Sequence, residues 1–335
     1  MAQSGSAPAW GAGGRWFESS RPDHFFLMAL RMYGQSSRRG ASVFAVVACW
    51  LYQLGSFLSQ RLPLRVSYAL ADILADIQFW VRLRHRRALL SNLKVVAGQS
   101  LGRRERRRLA RVIFRNFGRS IVDFLRLPAM DPAALRREIS AEGLKILDTA
   151  RTSGRGAVLL TCHIGGWELG GAYLSVLGYP LNAVALGHGS RAVTEFFTRS
   201  RERAGVRVVG TREPRETFTR ALQRGECLAL LGDWDAWGRG TWVEFFGRRT
   251  RVPSAYVTLA AQTGGPILPG VVVRRPGGGY HVRLDRPIEP TLGDEIGALK
   301  GCLRVLERYI SENLTQWFAF NPIWPEEAAE GRTEP

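Results

Sequence analysis

The sequence predicts an α/β fold: a central mixed sheet flanked by helices, joined to an N-terminal hydrophobic and basic helical membrane region. Three observations predict it. From about residue 140, short apolar runs alternate with helical periodicities, the pattern of a mostly parallel or mixed sheet with helices on its faces. Ahead of them, two apolar helical stretches lead into a strongly basic amphipathic one. Pro128 and Pro132 break the helical pattern between the two regions. The expected organisation is a leader over 1–27, a membrane-associated helical region over 28–135, an α/β domain over 140–325 and a tail over 326–335.

The leader crowds Gly, Ser, Pro and Trp together without periodicity. Arg15-Trp16-Phe17-Glu18-Ser19-Ser20 back-translates through TGG-TTC-GAA-TCC, the T-arm consensus of a tRNA gene, and Pro22-Asp23-His24 can encode its CCA end. The expectation is that translation begins at Met28 or Met32, and 1–27 is set aside from the fold. Segment 41–58 is mostly apolar but interrupted by Ser42, Gln53, Gly55 and Ser56. A spanning helix needs roughly 20 apolar residues, so a single pass, an interfacial helix and a buried core helix all remain open. Segment 62–81 is a second apolar helix, with Asp72 and Asp76 on one side.

Residues 82–119 hold thirteen Lys or Arg and one acid, Glu105, which is two thirds of the net charge of +18. Arg104, Arg108, Arg111, Arg115 and Arg119 recur at helical spacing on one face. Leu109, Val112, Ile113, Phe117, Ile121 and Phe124 recur on another. Such a helix suits an anionic membrane surface. No nucleic-acid recognition motif accompanies it, so no nucleic acid is expected as a partner.

Strands are expected at 157–162, 181–186, 206–209, 227–231, 242–246, 267–273 and 281–284. Helices are expected at 143–152, 167–177, 192–204, 214–223, 254–263 and 295–313. Gly277-Gly278-Gly279 reads as a hairpin turn, not a phosphate loop. The four cysteines, Cys49, Cys162, Cys227 and Cys302, sit in apolar runs without a pair motif and read as buried thiols.

The run from Gly156 to Glu168, GAVLLTCHIGGWE, carries the chemistry. It is a buried strand that ends in His163, a turn at Gly165 and Gly166, and an acid five residues on. Ligand sites of α/β sheets lie at the carboxyl ends of strands. There His163 can act as a general base, with Glu168 reaching back to orient its ring. The turn amides of Gly165 and Gly166 are candidates to face an anion or oxyanion. A structural histidine and a metal ligand remain alternative readings of His163. Cys162 points to the opposite face of its strand and is not expected to act as a nucleophile.

These residues resemble the histidine–acid motif of the lipid A biosynthesis late acyltransferase superfamily, which also includes phosphatidylinositol mannoside acyltransferase. The resemblance extends through the basic segment from Arg86 to Asn92-Leu93, Glu142-Gly143-Leu144, Asp233-Trp234-Asp235, Phe245-Phe246-Gly247, the stretch from Pro253 to Pro269, and Gln316-Trp317. It covers roughly 41–325. It implies a membrane-associated O-acyltransferase that moves a fatty chain from an acyl carrier protein or coenzyme A thioester to a hydroxyl of a lipid or glycolipid acceptor. No other cofactor and no metal is implied. His163 would be the base and Glu168 its charge-relay partner, with Gly165, Gly166, Asp233, Asp235 and Arg239 as substrate-binding candidates. The implied location is the cytoplasmic face of a bacterial inner membrane. Trp234 stands where the family often carries Arg or Lys, and His188 falls where an early basic residue is common. The competing expectations are a non-catalytic basic protein that binds membrane or nucleic acid, and a metal-assisted hydrolase using His163, Glu168 and Asp233.

Overall fold

The computed structural model describes residues 38–152, 154–187 and 190–324. The leader over 1–27, the start codons Met28 and Met32, His188 and the tail over 326–335 lie outside the described residues.

Four helices come first: α1 (Arg38–Arg61), α2 (Leu64–Val81), α3 (Leu83–Ala97) and α4 (Arg103–Arg126). Pro63 separates α1 from α2, because a proline disfavours helical geometry in the residue before it. At the start of α4 the Glu105 carboxylate accepts the Gly102 N–H at 2.8 Å, which also places its charge at the positive end of the helix. The sequence reading passed over α3, whose arginines and His85 obscure a buried stripe of Ala88, Leu89, Asn92 and Leu93.

The arginine stripe of α4 does not lie wholly free. Arg111 and Arg115 each grip Asp76 of α2 through paired bonds of 2.5–2.9 Å, and Arg119 grips Asp72 in the same way. The two guanidiniums hold the Asp76 carboxyl well below the usual carboxylate range. Three of the five arginines in the stripe that the sequence assigned to a partner surface therefore lock α2 onto α4. On the outer side, Trp50, Leu54 and Phe57 of α1 and Ile73, Leu74, Ile77 and Trp80 of α2 are each more than half exposed. Among the described residues no helix is long and apolar enough to cross a membrane, and the single pass considered for 41–58 finds no support.

The α/β layer follows: α5 (Pro132–Glu138), β1 (Ile139–Glu142), α6 (Leu144–Thr152), β2 (Ala157–Thr161), α7 (Trp167–Val176), β3 (Leu181–Ala185), α8 (Arg191–Arg203), β4 (Arg207–Gly210), α9 (Arg215–Gln223) and β5 (Cys227–Leu231). After them come β6 (Thr241–Phe245), β7 (Arg248–Val252), α10 (Ala255–Thr263), β8 (Ile267–Arg274), β9 (Tyr280–Leu284) and α11 (Glu295–Glu312). Seven strands form one sheet in the order β1-β9-β8-β2-β5-β3-β4. Only the β8–β9 pair is antiparallel, so the sheet is mixed as expected. Its turn holds Gly277, Gly278 and Gly279, all at positive φ.

β2 lies at the centre, buried on both faces. Ala157 and Leu159 pack towards α7 and α8, while Val158 and Leu160 pack towards α10 and α11, the two-residue period of a strand. Burial of such a side chain contributes roughly 1.5–3 kcal/mol. That is why the unbroken apolar run reads so clearly in the sequence.

Two strands were not legible, and one was misplaced. β1 is a four-residue edge strand beside β9. The strand expected at 242–246 pairs outside the main sheet with β7, whose sequence RRTRV looks like a loop. In β7, Thr250 and Val252 are buried while Arg249 and Arg251 face out and stack on Trp242 at 5.0 and 4.8 Å. The hairpin turns on Phe246 (φ 52°) and Gly247 (φ 67°), two positive values as a type I′ turn requires.

Candidate active site

His163 and Asp233 follow the carboxyl ends of neighbouring parallel strands. β2 and β5 run in register with Thr161 opposite Leu231, and each strand continues two residues to a polar side chain. The register therefore sets His163 beside Asp233. The His163 Nδ1–H donates to Asp233 Oδ1 at 2.7 Å, and the His163 backbone N–H donates to Oδ2 at 3.1 Å. Trp317 Nε1–H donates to the same Oδ2 at 3.0 Å. Asp233 is 1% exposed and the His163 side chain 26%, so the carboxylate is sealed while the ring opens outward.

Burial by itself lowers the His163 pKa, but the charge and hydrogen bond of Asp233 outweigh it and the net shift is upward. Burial likewise opposes ionisation of Asp233. The partner charge and the donors of His163 and Trp317 overcome it and hold the carboxyl below its usual range. With Nδ1 committed to Asp233, Nε2 is the basic atom directed at the cavity.

The expected contact between Glu168 and His163 is not made. The Glu168 carboxylate is held by Arg201 of α8 through bonds of 2.6, 2.9 and 3.2 Å. Glu168 belongs to the first turn of α7, whose path along the sheet carries it towards α8, and the nearest opposite charge there is Arg201. That guanidinium also lies 5.8 and 5.9 Å from the ring centres of Phe124 and Phe197. The sequence reading passed over Arg201, since one arginine among many carries no distinguishing signal.

The glycine turn is also differently used. The Gly165 N–H donates to Gln316 O at 3.0 Å, and the Gly166 N–H donates to Val272 O at 2.9 Å. Both amides are spent on backbone carbonyls and are not turned towards an incoming anion. Space explains the glycines instead. A Cβ on Gly165 would lie 2.0 Å from Val272 O, and one on Gly166 would lie 2.3 Å from the Tyr280 ring.

Asp235 and Arg239 lie on the loop after β5 and line the same cavity as His163. The Asp235 carboxylate accepts the N–H groups of Trp237 at 3.1 Å and Gly240 at 2.7 Å, so it braces that loop. The segment after α11 closes the site from behind. Phe318 N–H donates to His163 O at 2.7 Å. Asn92 of α3 ties the segment down through Ala319 O at 2.9 Å, Asn321 O at 2.7 Å and the Ile323 N–H at 3.1 Å.

In front of His163 is a cavity of about 1120 Å³. One wall is apolar and comes from both regions, with Tyr52 of α1, Phe117, Ile121 and Phe124 of α4, Leu169 of α7 and Phe197 of α8. Trp167, Trp234 and Trp237 also line it. Phe245 is instead fully buried core and Trp242 is exposed on the hairpin. Arg212, Arg215 and Arg239 line the cavity as well.

Cys162 is fully buried in the layer that holds Ile164 and Trp317, and burial pushes its thiol up. It faces away from the cavity. We expect Cys162→Ser to keep activity near the wild-type rate. A buried hydroxyl without a partner costs about 1–3 kcal/mol, so its thermal midpoint should fall. Loss of turnover in the folded variant would restore a thiol-nucleophile mechanism. Among the described residues no group of His, Cys, Asp and Glu side chains is arranged to hold a metal ion.

The carboxyl ends of β2 and β5 thus hold a histidine bonded to a buried carboxylate, facing a cavity with an apolar wall, and the family to which the chain belongs makes it an acyltransferase. The chain belongs to the bacterial lipid A biosynthesis acyltransferase family, whose pattern it matches over residues 37–326. It is similar to the phosphatidylinositol mannoside acyltransferase of Mycolicibacterium smegmatis, at 27% identity over 228 residues, which cover 67% of this chain and 75% of that one. It is also similar to the protein of the same name from Mycobacterium tuberculosis, at 28% identity over 223 residues, 65% of this chain and 70% of that one.

Proposed function

We propose that the protein transfers a fatty acyl chain from a thioester of acyl carrier protein or coenzyme A to a hydroxyl of a membrane lipid or glycolipid. The observation that carries this reading is the His163–Asp233 pair, 2.7 Å apart, at the mouth of a cavity with an apolar wall. An alcohol is a poor nucleophile at neutral pH, so His163 Nε2 takes its proton as the oxygen attacks the thioester carbonyl. The imidazolium that forms is stabilised by Asp233. As the tetrahedral intermediate collapses, the C–S bond breaks and His163 returns the proton to the departing thiolate. The products are an ester and a free thiol, with no acyl-enzyme. Arg239, which lines the cavity, and the first-turn amides of α7, which have no intrahelical acceptor, are the candidates to oppose the developing oxyanion charge.

The cavity's apolar wall takes the acyl chain, and its lining arginines Arg212, Arg215 and Arg239 take the anionic parts of donor and acceptor. The similarity to phosphatidylinositol mannoside acyltransferases favours a sugar hydroxyl on a glycosylated phospholipid as acceptor. The exposed apolar faces of α1 and α2, beside the remaining arginines of α3 and α4, favour seating on the cytoplasmic face of a bacterial plasma membrane without crossing it.

Lipid mass spectrometry on host cells with and without the gene tests the reading. We expect a lipid heavier by one acyl chain only where the gene is present. Purified protein that transfers no palmitoyl group from palmitoyl-CoA or palmitoyl-acyl carrier protein to phosphatidylinositol mannoside or to a lipid A precursor would remove it.

A further inference from the structure

Behind the glycine turn, at the seam between the N-terminal helices and the sheet, lies a buried polar cluster that lines no part of the cavity. Its centre is Asp123 of α4, 6% exposed. Asp123 accepts the hydroxyls of Tyr68 of α2 at 2.7 Å and Tyr280 of β9 at 2.5 Å. It pairs with Arg274 of β8 at 2.6 Å. Arg274 in turn lies 5.1 and 4.9 Å from the ring centres of Tyr68 and Tyr280. Burial and the Asp123 charge push both tyrosine hydroxyls up, so they stay protonated donors.

Three elements carry this cluster to the site. The Tyr280 ring lies against Gly166, at the distance that leaves no room for a Cβ. Val272, two residues before Arg274, accepts the Gly166 N–H. The Gln316 side chain clasps the backbone of Arg274 through N–H and C=O at 2.9 and 3.1 Å, while the Gln316 backbone carbonyl accepts the Gly165 N–H. The turn that sets the His163 ring is therefore supported from below by Tyr280. Tyr280 is fixed by groups from two helices that lie outside the sheet. Burying a charged pair costs desolvation free energy that packed apolar groups would not. A specified geometry is what such a pair supplies in return.

We infer that Tyr280, locked by Asp123 and Arg274, is a positioning residue for the catalytic turn, and that it makes the site depend on the seating of α2 and α4 against the sheet. The inference rests on the acyltransferase reading of that site. Tyr280 lines no part of the cavity, so its removal slows the chemical step and leaves donor binding alone.

The test uses the full-length protein with palmitoyl-CoA as donor and phosphatidylinositol mannoside as acceptor. Tyr280→Phe keeps the ring and its volume but frees it from Asp123. Tyr280→Leu removes the support under Gly166. A displacement of an ångström costs about a hundredfold in rate. We expect kcat per folded molecule to fall about tenfold in the first variant and about a hundredfold in the second, with the donor KM unchanged. Asp123→Asn should resemble Tyr280→Phe.

A second readout needs no turnover. The pH midpoint for modification of His163 by diethyl pyrocarbonate, mapped by mass spectrometry, should move from the wild-type value towards that of an ordinary histidine, as the slackened turn loosens the Asp233 contact. Two results would overturn the inference. One is an activity loss accounted for wholly by a smaller folded fraction, with kcat per folded molecule unchanged, or by a change in KM alone. The other is a His163 midpoint in Tyr280→Phe and Asp123→Asn identical to that of wild type. Should the wild type transfer no acyl group, the acyltransferase reading fails on its own, and the modification profile still decides the positioning role.

Discussion

Replacement of His163 by Ala is expected to abolish nearly all acyl transfer, by about a thousandfold or more, the upper range for loss of a positioned base. On the rate scale this is about 4 kcal/mol of transition-state stabilisation. The binding of donor should survive, because the cavity wall does not depend on the imidazole. The fold should survive as well. Asp233 keeps the Trp317 indole N–H and the backbone N–H of residue 163 as donors, so the buried carboxylate is not left without partners. Single-turnover transfer from a radiolabelled thioester, with thermal unfolding as control, measures both. Transfer by a folded His163→Ala protein at a rate near wild type would dismiss His163 as the base.

Asp233→Asn carries the second large effect, and it separates two assignments of the acid. The base must be neutral to act, so activity falls as pH drops through the His163 pKa. Asp233 holds that pKa up. The acid limb of kcat/KM in the wild type should therefore lie above about 6.5, the ordinary value for histidine. In Asp233→Asn the attraction is gone while burial, which lowers the pKa, remains. The limb moves to lower pH, and the maximal rate falls about a hundredfold because the imidazolium loses its counter-charge. Glu168→Gln should leave the limb in place, since Glu168 bonds Arg201 and not the ring. A limb that moves with Glu168→Gln and stays with Asp233→Asn would return the relay to Glu168.

Much of the site was legible because local sequence encodes it. The apolar run of β2, the glycines after it and the acid in the first turn of α7 are neighbours in the chain, and they place His163 at a strand end in the way the alternation of elements foretells. The carboxylate that meets the ring was not legible. Glu168 looked right because it is close along the chain. Asp233 is seventy positions away and is brought to the ring by the parallel register of β2 and β5. The amides of Gly165 and Gly166 were misread for the same reason. Their acceptors, on Gln316 and Val272, come from distant segments that the turn itself does not announce. The hairpin strand β7 was hidden because its buried positions are a threonine and a valine among arginines, and it becomes a strand only when Trp242 supplies the surface on which they stack.

The sequence by itself determined the class of fold, the helical N-terminal region, the central strand and the histidine at its carboxyl end. Each follows from spacing over a few residues, where backbone geometry leaves little freedom. Only the tertiary structure decided which acid serves the histidine, which arginines are spent on Asp72, Asp76 and Glu168, and how Tyr280 reaches the turn from below. Those pairings join segments far apart in the chain. They are selected by the desolvation cost of burying a charge, which is met only where packing brings an opposite charge or a donor into contact.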